Sequence, residues 1–299
     1  YRNAYIAIYR ANTLIEEVAD LEGATVDAVT RITAEAKFIR ALSHYHVVRI
    51  WALPYGYTSD NSHLGIPLKV SADQTPQMRA TVADVYAQIE QDLLDAEADL
   101  PASNGIFANQ MAAKALLAKV YLEMGDFANA KAKAAEVMNA GTYSLDPVLT
   151  NRFADHANGN LPAEFIFTLV STNESSATDT IVDERGMSFT WNYRSDDPNA
   201  NPALKASQAL YVEATADTND LRGQLWYEAR NAGTPDEFYV VSKFDGSFLD
   251  VPLLHLSDLY LIYAECNVRL NGDSDGSGLA KINALRQRAG LTDLTSLTL

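Results

Sequence analysis

The chain has 299 residues, 47% of them hydrophobic, which is enough apolar sequence to bury a large core without disulfide bridges. Its 39 acidic residues outnumber its 23 basic residues and leave a net charge of −16, so nucleic acids and anionic membrane surfaces should repel it. The single cysteine excludes an internal disulfide framework, and no apolar run is long enough to span a bilayer.

The first fifty residues predict two helices. Residues from about Tyr1 to Leu21 follow a helical period, which Gly23 ends, and a longer helix is predicted from Val26 to Trp51, before Pro54 and Gly56. The residues at helical spacing on one side are Tyr5, Ile8, Asn12, Ile15 and Val18 in the first helix, and Ile32, Ala36, Ile39, Leu42, His46 and Ile50 in the second.

A long loop from Leu53 to Pro76 follows, and a loop of this length in a compact fold is usually functional or disordered. Thr81–Asp84 then has the pattern of a capping box, which opens a helix that Pro101 closes. Small residues in Ala112–Gly141 predict a tetratricopeptide-type helical hairpin, because they let two antiparallel helices approach closely. Tyr260–Gly290 repeats this pattern.

The middle of the chain, from about Tyr143 to Pro252, is rich in Asn, Asp, Ser, Thr and Pro. It contains two strand-like runs, Phe165–Val170 and Phe238–Phe244. We interpret it as loops and small sheets displayed on a helical scaffold, where binding residues usually lie. The sequence therefore predicts a single, mainly α domain over 1–299, with its scaffold in 1–142 and 253–299 and a loop- and strand-rich lobe in 143–252.

Several separate segments carry a family resemblance: Tyr9–Glu16; Ala34–Leu42 with Val47–Trp51 and Gly65–Leu68; Asp84–Tyr86 with Asp92–Leu93 and Leu100–Pro101; Ala112–Leu122; Asp220–Arg222; and the closing pair Leu253–Asn267 and Ile282–Leu291. No single segment is decisive, but in this order they resemble the SusD/RagB family from one end of the chain to the other. The resemblance implies a SusD-like tetratricopeptide-type helical scaffold that carries a loop-rich lobe with short β-strands.

The resemblance also implies a function. Members of this family are non-catalytic cell-surface proteins that bind poly- or oligosaccharides and deliver them to a SusC-like TonB-dependent barrel of the outer membrane. They are attached to that membrane by an N-terminal lipid on a cysteine. This sequence begins at Tyr1 without that cysteine and stops before the family's usual final helix, so we expect terminal parts to be missing.

Two groups of residues combine aromatic rings, which stack on the apolar faces of sugars, with planar polar groups that bind hydroxyls. One group lies in a single loop of the middle region, and the other lies in the long loop after the second helix. The groups are Trp191, Asn192, Tyr193, Arg194 and Asp196, and Tyr55, Tyr57, Asn61 and His63. The alternatives are that Trp191 packs inward to anchor its loop, and that the second group is structural.

The other tryptophans and the cysteine are predicted to be mainly structural. Trp51 ends a long helix and should pack. Trp226 and Tyr227 are adjacent in a strand-like run, so they should point to opposite faces and one should be buried. Cys266 lies in the apolar run of a predicted helix and should be buried.

No cofactor is expected. His44 and His46 are two residues apart, which puts them on different faces of a helix and argues against a zinc pair. Asn271–Gly276 resembles the start of a calcium loop, but Ile282 stands where an EF-hand needs a glutamate. A solvated turn is the favoured interpretation, and structural calcium is the alternative.

Several functions stay open on sequence alone. The favoured function is capture of a glycan, and the net charge favours a neutral glycan, such as a glucan, over polyuronates. One alternative is a tetratricopeptide-type protein-interaction module, or a peptide-capturing RagB-like protein without a sugar site. Another is a glycoside hydrolase, although the sequence has no nucleophile elbow, phosphate-binding glycine loop or zinc signature.

Overall fold

The computed structural model describes residues 1–153, 161–170, 204–244 and 250–298. The protein is mainly helical with short strands, as the sequence predicts. It divides into two compact units, one formed by Tyr1–Thr142 and Asp258–Gly272, the other by Tyr143–Ser257 and 273–298. Residues 273–298, which the sequence analysis assigned to the helical scaffold, thus cluster with the middle region. That the whole chain is one domain stays a prediction.

The first unit is built from successive helices that pack side by side. In chain order each helix contacts the next: α1 packs on α2, α2 on α3, α3 on α4 and α4 on α5. The helices are α1 (Arg2–Glu17), α2 (Val26–Trp51), α3 (Val82–Asp99), α4 (Gln110–Met124) and α5 (Phe127–Asn139). A further helix, α8 (Leu256–Asn271), belongs to this unit from Asp258 onward.

Local sequence signals set the ends of these helices. The side chain of Thr81 accepts a hydrogen bond from the Asp84 amide at 3.1 Å, which confirms the predicted start of α3. The α4–α5 hairpin turns at Gly125, whose φ of 77° is the left-handed conformation that glycine adopts without strain. Because Ala118 of α4 and Ala130 of α5 are fully buried, the two helices approach closely, as predicted.

The buried face of α2 differs from the predicted one. Of the residues expected on one side, Ala36 and Leu42 are buried, whereas His46 is exposed and Ile50 is 66% exposed. Because α2 packs against both α1 and α3, it buries a broader surface than a single apolar stripe provides. Its buried side chains include Ala34, Phe38, Ala41, Tyr45, Val47 and Val48.

His44 lies in this core and makes stability depend on pH. Its side chain is fully buried, and neither ring nitrogen has a hydrogen-bond partner among the described residues. Burial, and then the charge of Arg40, lower the pKa of His44 to about 3. Below about pH 6.5, His44 is therefore protonated in the unfolded chain but stays neutral in the folded protein. The free energy of unfolding falls as the pH falls.

We expect the free energy of unfolding, measured in urea, to be about 2 kcal/mol lower at pH 5 than at pH 7 because of His44. His44→Leu should remove most of this difference. The matched control is His46→Gln, because His46 is more exposed than His44. Burial, and then the charge of Arg49, lower the pKa of His46 as well, so this variant should remove only a smaller part of the pH dependence. An unchanged pH dependence in His44→Leu would show that another group is its source.

The long loop after α2 contains a strand that the sequence analysis did not predict. Strand β1 (Leu64–Pro67) pairs antiparallel with β2 (Arg79–Thr81), the short strand that leads into α3. The Arg79 guanidinium reinforces the pair by donating hydrogen bonds to the carbonyls of Gly65 at 2.6 Å and Leu64 at 2.9 Å. The strand pair therefore holds together the two ends of the segment between Pro67 and Arg79.

In the second unit, the predicted strand-like runs are confirmed as β3 (Phe165–Leu169) and β5 (Phe238–Val241). Strand β3 pairs antiparallel with β6 (Val251–His255), and β5 pairs antiparallel with β4 (Tyr227–Arg230). As predicted, one of the adjacent aromatic residues, Trp226, is buried and the other is half-buried.

The sequence analysis missed two short helices in this region, α6 (Gln208–Thr215) and α7 (Leu221–Trp226). The apolar residues of α6 are mostly consecutive, from Ala209 to Val212, so its sequence does not show the apolar period by which helices are recognised. The run that was expected to be strand begins only after α7, because Trp226 is the last residue of that helix. Their caps, Ser207 and Asp220, were the available signals: each accepts a hydrogen bond from a backbone amide of its helix.

Two segments that carry the family resemblance meet in the second unit. The Leu221 amide donates to the Ala289 carbonyl at 2.9 Å, just past the end of α9 (Ser277–Arg288). At Gly290, φ is 79° and an added Cβ would lie 2.5 Å from the Asn219 carbonyl oxygen. The glycine of this Arg-Ala-Gly sequence is therefore explained by its positive φ and by close packing against the residues at the start of α7.

The turn between α8 and α9 is shaped by its aspartates. Asp273 accepts hydrogen bonds from the Gly278 and Leu279 amides at 2.7 and 2.9 Å, and Asp275 accepts one from the Ser277 amide at 3.0 Å. These carboxylates accept hydrogen bonds from the first turn of α9. Structural calcium, the alternative to the favoured solvated turn, is not tested by these contacts. Among the described residues, no helix combines the length and apolarity needed to cross a membrane.

Candidate functional site

The first predicted group of sugar-binding residues, Trp191, Asn192, Tyr193, Arg194 and Asp196, lies outside the described residues. Its contact with a glycan stays a prediction.

In the second predicted group, Asn61 organises its own loop. Its side-chain oxygen accepts a hydrogen bond from the Gly56 amide at 2.5 Å, and its carbonyl accepts one from the Ala83 amide at 3.0 Å. Its φ of 54° is a left-handed conformation that asparagine tolerates better than most residues, and the side chain is buried. Asn61 therefore ties the loop to the start of α3, and its side-chain oxygen is used within the loop.

His63 is also used within this loop. Its Nε2 lies 3.3 Å from the Leu53 carbonyl and its Nδ1 lies 2.9 Å from the Thr58 hydroxyl. Because a carbonyl can only accept, we assign the ring proton to Nε2, so that Nδ1 accepts from Thr58. The Tyr57 ring, 64% exposed, lies edge-on to His63 at 5.5 Å and is the group's most accessible surface.

Tyr55 is half-buried and packs edge-on against the buried Tyr86 ring at 5.0 Å. The structure thus brings Tyr57, Asn61 and His63 together, whereas Tyr55 is used in packing. Glycan contact by this group stays a prediction. Tyr57, as its most exposed side chain, is the residue best placed to contact a glycan.

Trp51 was expected to pack, and it does so only in part: its ring contacts Tyr1, but the residue is 44% exposed. The neighbouring Ile50 is 66% exposed, so the C-terminal end of α2 lies at the surface. The Trp51 ring meets Tyr1 edge-on at 5.2 Å, and Tyr1 in turn lies 4.8 Å from Tyr5. Since positions four apart share a helix face, Tyr9 continues this aromatic row along α1.

A cavity of about 590 Å³ opens along the aromatic row, within the size range of small-molecule sites. One side is formed by α1 and the other by the segment that follows β1, which we call the wall segment (Lys69–Thr75). The lining residues are Tyr1, Arg2, Tyr5, Ile6, Tyr9, Asn12, Lys69, Ser71, Asp73 and Gln74.

The wall segment is held by hydrogen bonds from side chains. The Asn12 amide nitrogen donates to the carbonyls of Lys69 at 3.2 Å and Ser71 at 2.8 Å. The Lys69 ammonium donates to the carbonyls of Asp73, at 3.2 Å, and Thr75. Asp73 in turn accepts hydrogen bonds from the Thr75 hydroxyl and, at 2.9 Å, from the Thr75 amide. These two bonds, the first more than the second, hold the pKa of the Asp73 carboxyl below its usual value.

The cavity has side chains that could bind a polyhydroxylated ligand. The tyrosine rings provide apolar surface for stacking, and Arg2 and Gln74 provide polar groups. Tyr5 donates a hydrogen bond to the Pro67 carbonyl at 2.8 Å, and its pKa is raised, first by burial and then by a hydrogen bond with Tyr1, so it stays protonated. Among the described lining residues only Asp73 carries a carboxylate, whereas glycoside hydrolysis uses a pair.

The sequence analysis missed this cavity. Tyr1, Tyr5 and Tyr9 recur every four residues, and this spacing was the available signal for an aromatic row on α1. The spacing could not show which side of the row is open, since only the wall segment, about sixty residues later, creates the cavity.

The chain matches two family models. Residues 1–122 match the model SusD-like_3, described as "starch-binding associating with outer membrane", and residues 104–298 match the SusD_RagB model, described as "SusD family". Together the matched ranges extend over nearly the whole chain.

Known proteins and solved structures are similar over most of the chain. A SusD-like protein of Bacteroides ovatus is 25% identical over an alignment that is 336 residues long. The alignment covers 99% of this chain and 60% of the relative. A SusD superfamily structure from Bacteroides vulgatus has a TM-score of 0.79 at 24% identity, covering 96% of this chain and 65% of its own. A solved "laminarin binding SusD-like protein" has a TM-score of 0.76 at 23% identity, covering 99% and 71% respectively.

At these identities the structural matches establish the fold alone. The chain spans less than two thirds of the Bacteroides ovatus relative and of the Bacteroides vulgatus structure.

Proposed function

Because this chain belongs to the SusD family, we propose that it is a non-catalytic protein that binds poly- or oligosaccharides, and that the cavity along α1 takes part in the binding. The observation that carries this proposal is the aromatic row of Trp51, Tyr1, Tyr5 and Tyr9 beside a cavity of about 590 Å³. Stacking surface with nearby planar polar groups is what a sugar ring requires.

We further propose that the ligand is a neutral glycan such as a glucan. The net charge of −16 disfavours polyanions. Of the three charged side chains that line the cavity, the Lys69 ammonium and the Asp73 carboxylate are engaged within the wall segment. The third is the Arg2 guanidinium, which can donate hydrogen bonds to sugar hydroxyls. The solved relative described as laminarin binding supports a glucan as the first ligand to test.

The proposal extends to the protein's place in the cell. We propose that it acts on the outer membrane, attached by an N-terminal lipid, and delivers its glycan to a SusC-like TonB-dependent barrel. Support comes from the family model described as associating with the outer membrane.

The proposal predicts that Tyr9→Ala lowers the affinity for the bound glycan by about tenfold or more, because an exposed aromatic ring in the cavity is lost. The measurement is affinity electrophoresis followed by calorimetry, with laminarin, glycogen, yeast mannan and, as an acidic polymer, alginate. Tyr9→Phe is the matched control: it retains the ring and should bind almost as well as the wild type.

Tyr57→Ala and Trp191→Ala, run in parallel, decide between the candidate sites. A loss confined to Tyr57→Ala or Trp191→Ala would place the glycan in the corresponding loop and contradict a role for the cavity. Binding of no glycan by the folded protein would favour the protein-interaction or peptide-capturing alternatives. Release of shorter sugars from a bound polymer would contradict the non-catalytic assignment.

A further inference from the structure

The wall segment of the cavity has an unusual support at its start. Strand β1 ends at Pro67, and no strand in the described part of the chain pairs with the wall segment. Three successive carbonyls, those of Lys69, Val70 and Ser71, instead accept hydrogen bonds from side chains of the buried core. Asn12 bonds the first and third of these carbonyls, and Arg40 bonds the second at 3.2 Å.

Arg40 connects this support to α3. Its Nε and Nη2 donate to the two carboxylate oxygens of Asp92 at 2.8 and 2.6 Å, and its Nη1 donates to the Asn12 side-chain oxygen at 2.8 Å. Gln88 donates a further hydrogen bond to Asp92 at 3.0 Å. Arg40 and Asp92 are 5% and 1% exposed, and the residues lining the cavity do not include them.

We propose that Arg40 and Asp92 are positioning residues for ligand binding, which fix the wall segment in its binding geometry without touching the ligand. The expected loss of glycan affinity rests on the proposed function. The effect of the two residues on the wall segment can be tested without a ligand. Asn12 lines the cavity, yet both its amide hydrogens and its oxygen are used in this network, so it transmits the position of Arg40 to the wall.

Stability alone does not explain such a network, because a well-packed apolar pair usually stabilises a core as well as a buried ion pair does. What the network adds is a fixed geometry. The planar guanidinium reaches Asp92, Asn12 and Val70 at once, which a lysine ammonium cannot do. A wall that is ordered before the ligand arrives does not lose conformational entropy on binding.

The test uses Arg40→Lys, which retains the charge beside Asp92 but loses the planar fork. Its matched control is Arg288→Lys, which removes the same fork from another buried ion pair, with Glu164, in the second unit. Both variants are measured by hydrogen exchange of the backbone amides of 70–75 and by calorimetry with laminarin and glycogen.

For Arg40→Lys we expect exchange in the wall segment to be at least about tenfold faster and glycan affinity about tenfold lower. Arg288→Lys should leave both unchanged, even if it lowers the thermal midpoint equally. Unchanged wall exchange in Arg40→Lys overturns the inference, whatever the affinity. Faster exchange with unchanged affinity, or equal losses in both variants, also overturns it. If the wild type binds no glycan, the proposed function fails, and exchange alone decides whether the pair positions the wall.

Discussion

Arg288→Met is expected to lower the free energy of unfolding by about 3–5 kcal/mol, because it removes the Arg288 charge from beside a buried carboxylate. The partner, Glu164, is fully buried, and Arg288 is almost as well covered. The Arg288 guanidinium donates to the Glu164 carboxylate at 2.8 Å and to the Ser257 hydroxyl at 3.2 Å, and that hydroxyl donates to the same carboxylate at 3.0 Å. Urea denaturation measures the loss.

Two further variants separate burial from ion pairing. The double variant Arg288→Met with Glu164→Leu should recover most of the lost stability, because no buried charge remains. The matched surface control is Arg269→Met: its ion pair with Glu265 is exposed, so its loss should change stability by less than about 1 kcal/mol. If Arg288→Met and Arg269→Met lower the free energy of unfolding equally, the Arg288–Glu164 ion pair is not buried in solution.

Gly290→Ala is expected to destabilise the protein by about 2–5 kcal/mol, the sum of a left-handed backbone penalty and a steric clash. Its φ is 79°, and the new Cβ would lie 2.5 Å from the Asn219 carbonyl oxygen and 3.2 Å from the Leu221 side chain. The hydrogen bond from the Leu221 amide to the Ala289 carbonyl, 2.9 Å long, limits how far these segments can separate.

Gly125→Ala is the matched control for Gly290→Ala. Gly125 also follows the end of a helix and has a φ of 77°, but no atom lies within 4 Å of its added Cβ. Only the backbone penalty of about 1–2 kcal/mol should remain there. If thermal or urea denaturation gives the two alanine variants equal losses, the close approach of Asn219 does not exist in solution.

Helices with strong local signals could be predicted from the sequence. The bounds of α2 were predicted correctly because Pro54 and Gly56 follow its end. The start of α3 was predicted correctly because Thr81 caps it. Helix α6 was missed because its apolar residues are mostly consecutive, from Ala209 to Val212, and so show no helical period.

The candidate site was harder to predict, because its parts lie far apart in the sequence. Asn12 was placed correctly on the inner face of α1, but its partner Arg40 is 28 residues away, and Asp92 is 52 residues beyond Arg40. Tyr57, Asn61 and His63 were correctly grouped in one loop. The sequence could not show that the last two use their polar groups to hold that loop together.

By itself, the sequence determined the family, through the order of its resembling segments. It also determined the mainly helical fold, the bounds of α2 and the start of α3, because helical period, caps and breakers act over a few residues. Only the tertiary structure decided which aromatic rings stay accessible, how the cavity along α1 is closed by the wall segment, and that Arg288 meets Glu164 across 124 residues of chain. The physical reason is that burial and ion pairing depend on which distant segments pack together, and residue spacing along the chain carries no information about that.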